Sequence, residues 1–254
     1  MNKILSEFHF IEISSHINND ALKIIENIGL ENKEYIQFSY LFEPNNNDIK
    51  IMNSFFKNHP EIYFRRIKTP WLKYLTNVEK FRLDFTGENI KLIKNYNIKG
   101  LYFENKLDKK RDLAIIEQFK DTLEELAFEG EPKNVEKTIS QLKKLKRLYL
   151  ISVRITNFNF LEGIGIEDFW NYGSKVKDWS YLSEIKTIKK LGIKTNRTLE
   201  NIDFIKGLNN LEKLELTYLS KLSNFPNIDH LKKLKSIVIS QCNKLENIDE
   251  IKNK

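Results

Sequence analysis

The chain has 254 residues, of which 41% are hydrophobic and 30% are charged, so it can bury a sizeable core beneath a polar surface. No apolar run approaches the roughly 18 residues needed to cross a bilayer. The N-terminal stretch has Glu7 and His9 where a signal peptide would have its apolar centre, so we expect a cytoplasmic protein. The single cysteine, Cys242, excludes an internal disulfide framework and a multi-cysteine zinc site.

The formal net charge is +7, from 42 lysines and arginines against 35 aspartates and glutamates. Such an excess is compatible with nucleic acid or another acidic partner. Lysines spread over the surface for solubility would give the same total, so both interpretations stay open. The abundance of Lys, Asn and Ile reflects A/T-rich codons and indicates a bacterial genome of low GC content.

Short apolar-x-apolar triplets recur from the N-terminus onward, each with the alternation of a half-buried strand. The triplets lie at 11–13, 36–38, 62–64, 83–85, 101–103, 126–128 and 148–150. Their first positions are 25, 26, 21, 18, 25 and 22 residues apart, an irregularity that connecting loops can absorb. Helices are predicted over 21–28, 49–56 and 108–121, and Asn-Asp pairs that can act as caps precede the first two.

Three segments near the C-terminus repeat one pattern at a fixed interval. Leu191, Leu214 and Ile237 are 23 residues apart. A fixed period of about 20 to 50 residues is typical of a solenoid. Leu148 and Leu191 are 43 residues apart, which fits two repeats, so one further strand is predicted within 166–172.

The motif Leu-x-x-Leu-x-Leu-x-x-Asn/Cys occurs in full at 188–196 and again at 234–242. This pattern resembles the leucine-rich-repeat family, in particular its short bacterial repeats of about 22 residues. The resemblance implies an α/β solenoid, a curved horseshoe whose concave face is a parallel β-sheet of ten or eleven strands. Helices should cover the convex side in the N-terminal half, and turns or 3₁₀ segments in the C-terminal half.

The resemblance also implies that Asn196 and Cys242 lie inside the solenoid and bond to the backbone where the chain turns. We predict a single domain over 1–254, with irregular strand–helix repeats over 1–122 and regular repeats of 21–23 residues over 123–254. Ser236–Ser240 would be the last strand, with an edge that could pair with another chain. We nevertheless expect a monomer.

No pattern in the sequence indicates a catalytic, cofactor or metal site. The four histidines are scattered, and the sequence lacks a Gly-rich phosphate loop. No pair of carboxylates stands out from the repeat pattern as a general acid and base. We therefore predict a non-enzymatic protein that needs no cofactor and no metal.

Alternate strand residues should face the concave groove and form a partner-binding surface. Its middle is predicted to be acidic and its later part basic, with aromatic residues between them; Tyr, Trp and Arg are typical of interface hot spots. The predicted partner-binding residues are Tyr63, Arg65, Arg82, Asp84, Tyr102, Glu104, Glu125, Glu129, Arg147, Tyr149, Glu167, Trp170, Tyr172, Lys190 and Lys194.

The resemblance implies recognition rather than catalysis, although a fold alone does not name its partner. We expect an intracellular protein–protein interaction module, and an immunity protein that neutralises a bacterial toxin is the most concrete form of this hypothesis. The alternative is a basic protein that binds nucleic acid or anionic surfaces. The acidic centre of the groove argues against nucleic acid, because phosphate binding favours an unbroken basic track.

Overall fold

The structure is a computed structural model that describes residues 4–6, 9–31 and 33–246. The chain forms two compact units, Met1–Asn105 and Lys106–Lys254, and each contains a sheet of parallel strands. The prediction of a single domain over 1–254 stays a prediction. Residues 247–254, on which the covering of the last strand depends, lie outside the described residues.

The first unit alternates strands with helices. Its strands are β1 (Ile4–Ser6), β2 (Phe10–Ile13), β3 (Tyr35–Phe38), β4 (Tyr63–Arg65), β5 (Lys80–Leu83) and β6 (Gly100–Phe103). Its helices are α1 (Asn19–Ile28), α2 (Asn46–Asn58), α3 (Thr69–Leu72) and α4 (Gly87–Leu92). β1 pairs antiparallel with β2, and β2 to β6 then run parallel in sequence order.

Side-chain caps fix where the first two helices begin. Asn18 accepts a hydrogen bond from the backbone N–H of Ala21 at the start of α1. Asn45 and Asp48 form a capping box at α2, each side chain accepting from the other residue's backbone N–H. Both predicted helices are therefore present, and each begins earlier than predicted.

The second unit has shorter connections between its strands. Its strands are β7 (Glu125–Glu129), β8 (Arg147–Ile151), β9 (Arg154–Ile155), β10 (Asp168–Tyr172), β11 (Lys175–Val176), β12 (Lys190–Lys194), β13 (Lys213–Thr217) and β14 (Ser236–Ser240). Its helices are α5 (Val135–Gln141) and 3₁₀ helices at Leu113–Phe119, Asn159–Leu161, Ser180–Glu184 and Asp203–Gly207. β7, β8, β10, β12, β13 and β14 form a parallel sheet in that order, while β9 and β11 form a separate parallel pair.

These elements confirm the predicted fold class, with parallel strands β2 to β6 in the first unit and six in the main sheet of the second. The change from helices to 3₁₀ segments along the chain is also confirmed. Two details differ: α5 was not predicted, and the helix predicted over 108–121 is a 3₁₀ helix at Leu113–Phe119. The prediction of a strand at 83–85 was wrong in its position, because the strand is β5 at Lys80–Leu83. β5 ends at Leu83 because the next residue, Asp84, turns its carbonyl to accept a hydrogen bond from Asn89 Nδ2 at 2.9 Å.

The chain turns at an equivalent point after successive strands of the second unit. The residue after the strand has positive φ in all six strands of the main sheet, at Gly130, Ser152, Gly173, Thr195, Tyr218 and Gln241. Asn196 then lies buried, and its Oδ1 accepts from the backbone N–H groups of Thr198 and Leu199 at 2.8 Å. Cys242 is also buried, with Sγ 3.7 Å from the carbonyl oxygen of Leu216. The interior positions implied for Asn196 and Cys242 are confirmed.

Inward-facing side chains of the second unit form apolar rows across the strands. One row is Leu126, Leu148, Phe169, Leu191, Leu214 and Ile237, and the next is Phe128, Leu150, Asn171, Ile193, Leu216 and Ile239. Because each side chain packs against its neighbours in the row, adjacent repeats share one core. Asn171 is the polar exception in these rows.

Candidate functional site

In the part of the chain that the structure describes, no helix is both long enough and apolar enough to cross a membrane. The same residues contain no group of three or more His, Cys, Asp and Glu side chains arranged to hold a metal ion. The richest side-chain networks lie instead on the sheet face opposite the core, which we call the open face of each unit.

Parallel pairing aligns the outward side chains of the second unit in three rows. The first row is Glu125, Arg147, Asp168, Lys190, Lys213 and Ser236. The second is Ala127, Tyr149, Trp170, Gly192, Glu215 and Val238. The third is Glu129, Ile151, Tyr172, Lys194, Thr217 and Ser240. Residues far apart in the sequence thus become neighbours at the spacing of adjacent strands.

Three aromatic side chains from the second and third rows stack side by side on this face. They are Tyr149, Trp170 and Tyr172, and we call this set the aromatic row. The Trp170 ring lies 6.2 Å from that of Tyr149 and 6.0 Å from that of Tyr172, with interplanar angles of 7° and 11°. A Cβ atom at Gly192 would overlap Cε3 and Cζ3 of Trp170. The indole can therefore lie flat across the sheet only because its neighbour in β12 has no side chain.

Charged groups hold the aromatic row in place. Trp170 Nε1 donates a hydrogen bond to Asp168 Oδ1. The Nζ atoms of Lys194 and Lys213 lie 5.5 and 5.6 Å from the Trp170 ring, within range of a cation–π interaction. Trp170 is consequently only 8% exposed, while Tyr149 remains partly accessible beside it.

The first row places acids and bases next to one another. Arg147 Nη2 donates to Glu125 Oε1, and Lys190 Nζ lies 3.8 Å from Asp168 Oδ2. Burial raises the pKa of Asp168, although the hydrogen bond from Trp170 and the nearby positive charges act in the opposite direction. Each of these two carboxyl groups thus lies next to a cation of the neighbouring strand.

Glu167 was predicted to share this face, but it falls outside the three aligned rows. β10 begins at Asp168, so Asp168, Trp170 and Tyr172 share the open face, and Glu167 lies just before the strand. Glu167 accepts a hydrogen bond from Lys189 Nζ at 2.8 Å instead. Asp168 is the residue that the prediction missed, and counting back two positions from Trp170 would have found it.

The open face of the first unit carries a second cluster, in which arginines lie against tyrosines. Arg82 Cζ lies between the rings of Tyr35 and Tyr102, 4.6 and 4.1 Å from their centroids. Arg65 Nε donates to Glu104, and Arg65 Cζ lies 5.1 Å from the Tyr35 ring. Tyr35 was not predicted, although its place two residues before the outward-facing Gln37 indicates the same face.

Three predicted residues lie at the margins of these clusters. Tyr63 is next to Lys80, whose Nζ lies 5.7 Å from its ring. Asp84 is exposed and follows β5. Glu129 ends β7 and pairs with Lys106 Nζ at 3.2 Å. The structure thus distributes the predicted residues over two open faces, and their role in partner binding stays a prediction.

Stacked parallel strands, a periodic left-handed turn and an interior Asn or Cys define a leucine-rich-repeat solenoid. Comparison with solved structures agrees. Internalin C2 from Listeria monocytogenes str. 4b F2365 is 18% identical with a TM-score of 0.50, and the match covers 66% of this chain and 74% of that chain. Internalin inlF from the same strain is 14% identical with a TM-score of 0.50, and the match covers 82% of this chain and 68% of that chain.

At these identities the likeness concerns the fold alone. No protein-family model matches the sequence, and no curated protein matches it significantly.

Proposed function

We propose that this protein is a non-catalytic module that binds another protein through the open face of its second unit. The observation that carries the proposal is the aromatic row, which is fixed by stacking, by Gly192 and by flanking charges. Side chains that are already ordered lose little conformational entropy on binding. Tyr and Trp are also the residues that most often dominate binding energies at protein interfaces.

The charges around the aromatic row have both signs, and they already form ion pairs within the chain. Lys190 and Lys194 lie on one side of the row, and Glu125 and Glu129 on β7 lie towards the other. A partner that buries this face must therefore offer polar groups of both signs that can join these ion pairs, around an apolar contact with the tyrosines. This requirement disfavours a uniformly charged partner such as nucleic acid on this face.

In its concrete form, the proposal is that the partner is a bacterial toxin and that the protein acts in the cytoplasm as its immunity protein. Neutralisation by occlusion requires tight binding and no chemistry, which suits a rigid recognition face. We expect a one-to-one complex with a toxin encoded beside this gene, and survival when the two are co-expressed. If co-expression gives no protection, the immunity role is wrong, whereas the binding module remains testable by itself.

The binding face is tested by co-purification from the native cell, followed by titration of the recovered partner. Replacing both Tyr149 and Tyr172 with alanine should weaken binding by about 2–4 kcal/mol, the range of interface hot spots. Tyr181→Ala, in the 3₁₀ helix Ser180–Glu184, is the matched control and should bind normally. Equal affinity of the double variant and the control would contradict the assignment of this face.

A further inference from the structure

A groove lies beside β11 on the second unit, and no residue of the aromatic row lines it. β11 pairs with β9 on one side, and within the described residues no strand pairs with its other side. A groove of about 1410 Å³ opens there, with 173–180 on one wall and 195–204 on the other. The function proposed above does not use this free edge of β11.

One residue of β11, Val176, has its backbone hydrogen-bonding groups on the side of this groove. The N–H groups of Lys175 and Lys177 donate to the carbonyls of Val153 and Ile155 in the neighbouring segment, at 2.8 and 3.4 Å. Alternate residues of a parallel strand bond in opposite directions, so the N–H and C=O of Val176 point away from β9. An extended chain placed in the groove can pair with them, as in β-strand addition.

The cations that line the groove are available for an occupant. Lys175, Lys177 and Arg197 are exposed, and among the described residues none of the three has a carboxylate partner. Arg154 also lines the groove but lies 3.5 Å from Glu131. The positive charge nearest the free edge is therefore uncompensated.

Two of the three carboxylates that line the groove already have cationic partners. Glu200 accepts from Lys221 Nζ at 3.2 Å, and Asp203 lies 2.5 Å from Lys206 Nζ. Asp178 accepts from the backbone N–H of Ser180 at 2.9 Å. The groove consequently presents a net positive field to an incoming chain, although its lining contains both signs of charge.

We propose that this groove binds an extended acidic peptide segment, which adds to the free edge of β11 and places carboxylates against Lys175, Lys177 and Arg197. Backbone pairing with Val176 gives the segment its direction, and the cations select its charge. The site uses other residues than the aromatic row, so a test of peptide binding in the groove is independent of a test of the proposed function.

The test is fluorescence anisotropy with the full chain and a labelled peptide of alternating Glu and Val. The same peptide with alternate backbone nitrogens methylated keeps its charge but loses N–H donors, and it should bind on the order of tenfold more weakly. A peptide of alternating Lys and Val should not bind. These comparisons use the unaltered protein, so they do not depend on the folding of a variant.

Substitutions then locate the site. Lys175→Glu with Lys177→Glu should weaken binding of the acidic peptide by at least about tenfold. Lys137→Glu with Lys144→Glu makes the same change of charge elsewhere on the unit and should leave binding unchanged.

Three outcomes overturn the proposal. The first is equal binding of the methylated and unmethylated peptides, which excludes strand addition. The second is failure of the acidic peptide to bind. The third is preferential binding of single-stranded oligothymidine that the substitutions at Lys175 and Lys177 abolish, because the groove would then be a nucleic-acid site.

Discussion

Asn171 provides the sharpest test of how the core of the second unit is held together. Its side chain is 0% exposed and lies in register between Leu150 and Ile193. Neither Oδ1 nor Nδ2 has a hydrogen-bond partner among the described residues. The residue thus places an unpaired amide where the neighbouring repeats place a hydrocarbon side chain.

Asn171→Leu should therefore stabilise the protein. An unsatisfied buried polar group costs about 1–3 kcal/mol, and a buried leucine contributes about 1.5–3 kcal/mol. Crowding by the larger side chain opposes this gain by about 1–3 kcal/mol. We expect the free energy of unfolding to rise by about 1–3 kcal/mol, since the amide penalty disappears while the two hydrocarbon contributions nearly cancel.

Urea unfolding followed by circular dichroism measures this change. Ile193→Asn places the same amide at the equivalent position of the next strand and is the matched control, which should lose stability. A lower midpoint for Asn171→Leu with an unchanged slope would refute the reasoning, because the amide would then have a partner in solution, such as a buried water.

Three further predictions concern the same unit. Gly192→Ala should displace the Trp170 ring and alter tryptophan fluorescence. Gly165→Ala is the control and should leave the spectrum unchanged, because a Cβ atom there meets nothing within 4 Å. If Gly192→Ala also has the spectrum of the natural chain, the described packing of Trp170 is wrong. Leu214→Ala should lower the free energy of unfolding by about 2–5 kcal/mol in urea titration, and a loss below about 1 kcal/mol would show that this core position is not tightly packed. Asp168 binds its proton more tightly in the folded than in the unfolded chain, so its ionisation removes stability as the pH rises above the ordinary value of 3.8. The melting temperature of Asp168→Asn minus that of the natural chain should therefore increase as the pH rises from 3.8 upward. A difference between the two melting temperatures that does not change with pH would contradict the raised pKa of Asp168.

The solenoid could be predicted because its stacking contacts leave a period in the sequence. Leu191, Leu214 and Ile237 occupy the same place in successive repeats, so the 23-residue interval records a contact that exists in three dimensions. The end of β5 could not be predicted this way. It depends on a hydrogen bond between Asn89 and Asp84, which no periodicity encodes.

The open face was predicted in outline because strand alternation shows which side chains point outward. The partnership of Trp170 with Gly192 was not foreseen, since it requires the register between two strands rather than the pattern within one. Asp168 was missed for a related reason. Apolar residues at 164 and 166 resemble a strand, and only the pairing of β10 with its neighbours fixes where that strand begins.

The Trp170 indole can lie flat only because Gly192 has no side chain, and this requirement limits how recombination can rearrange the repeats of the gene. Duplication or loss of one repeat can preserve a solenoid, because each repeat contacts only its neighbours. A crossover that separated the repeats of Trp170 and Gly192 would set the ring against a new side chain and force it upright. We therefore expect selection to keep these two repeats adjacent, a constraint that β14, the one described strand beyond Thr217, does not share.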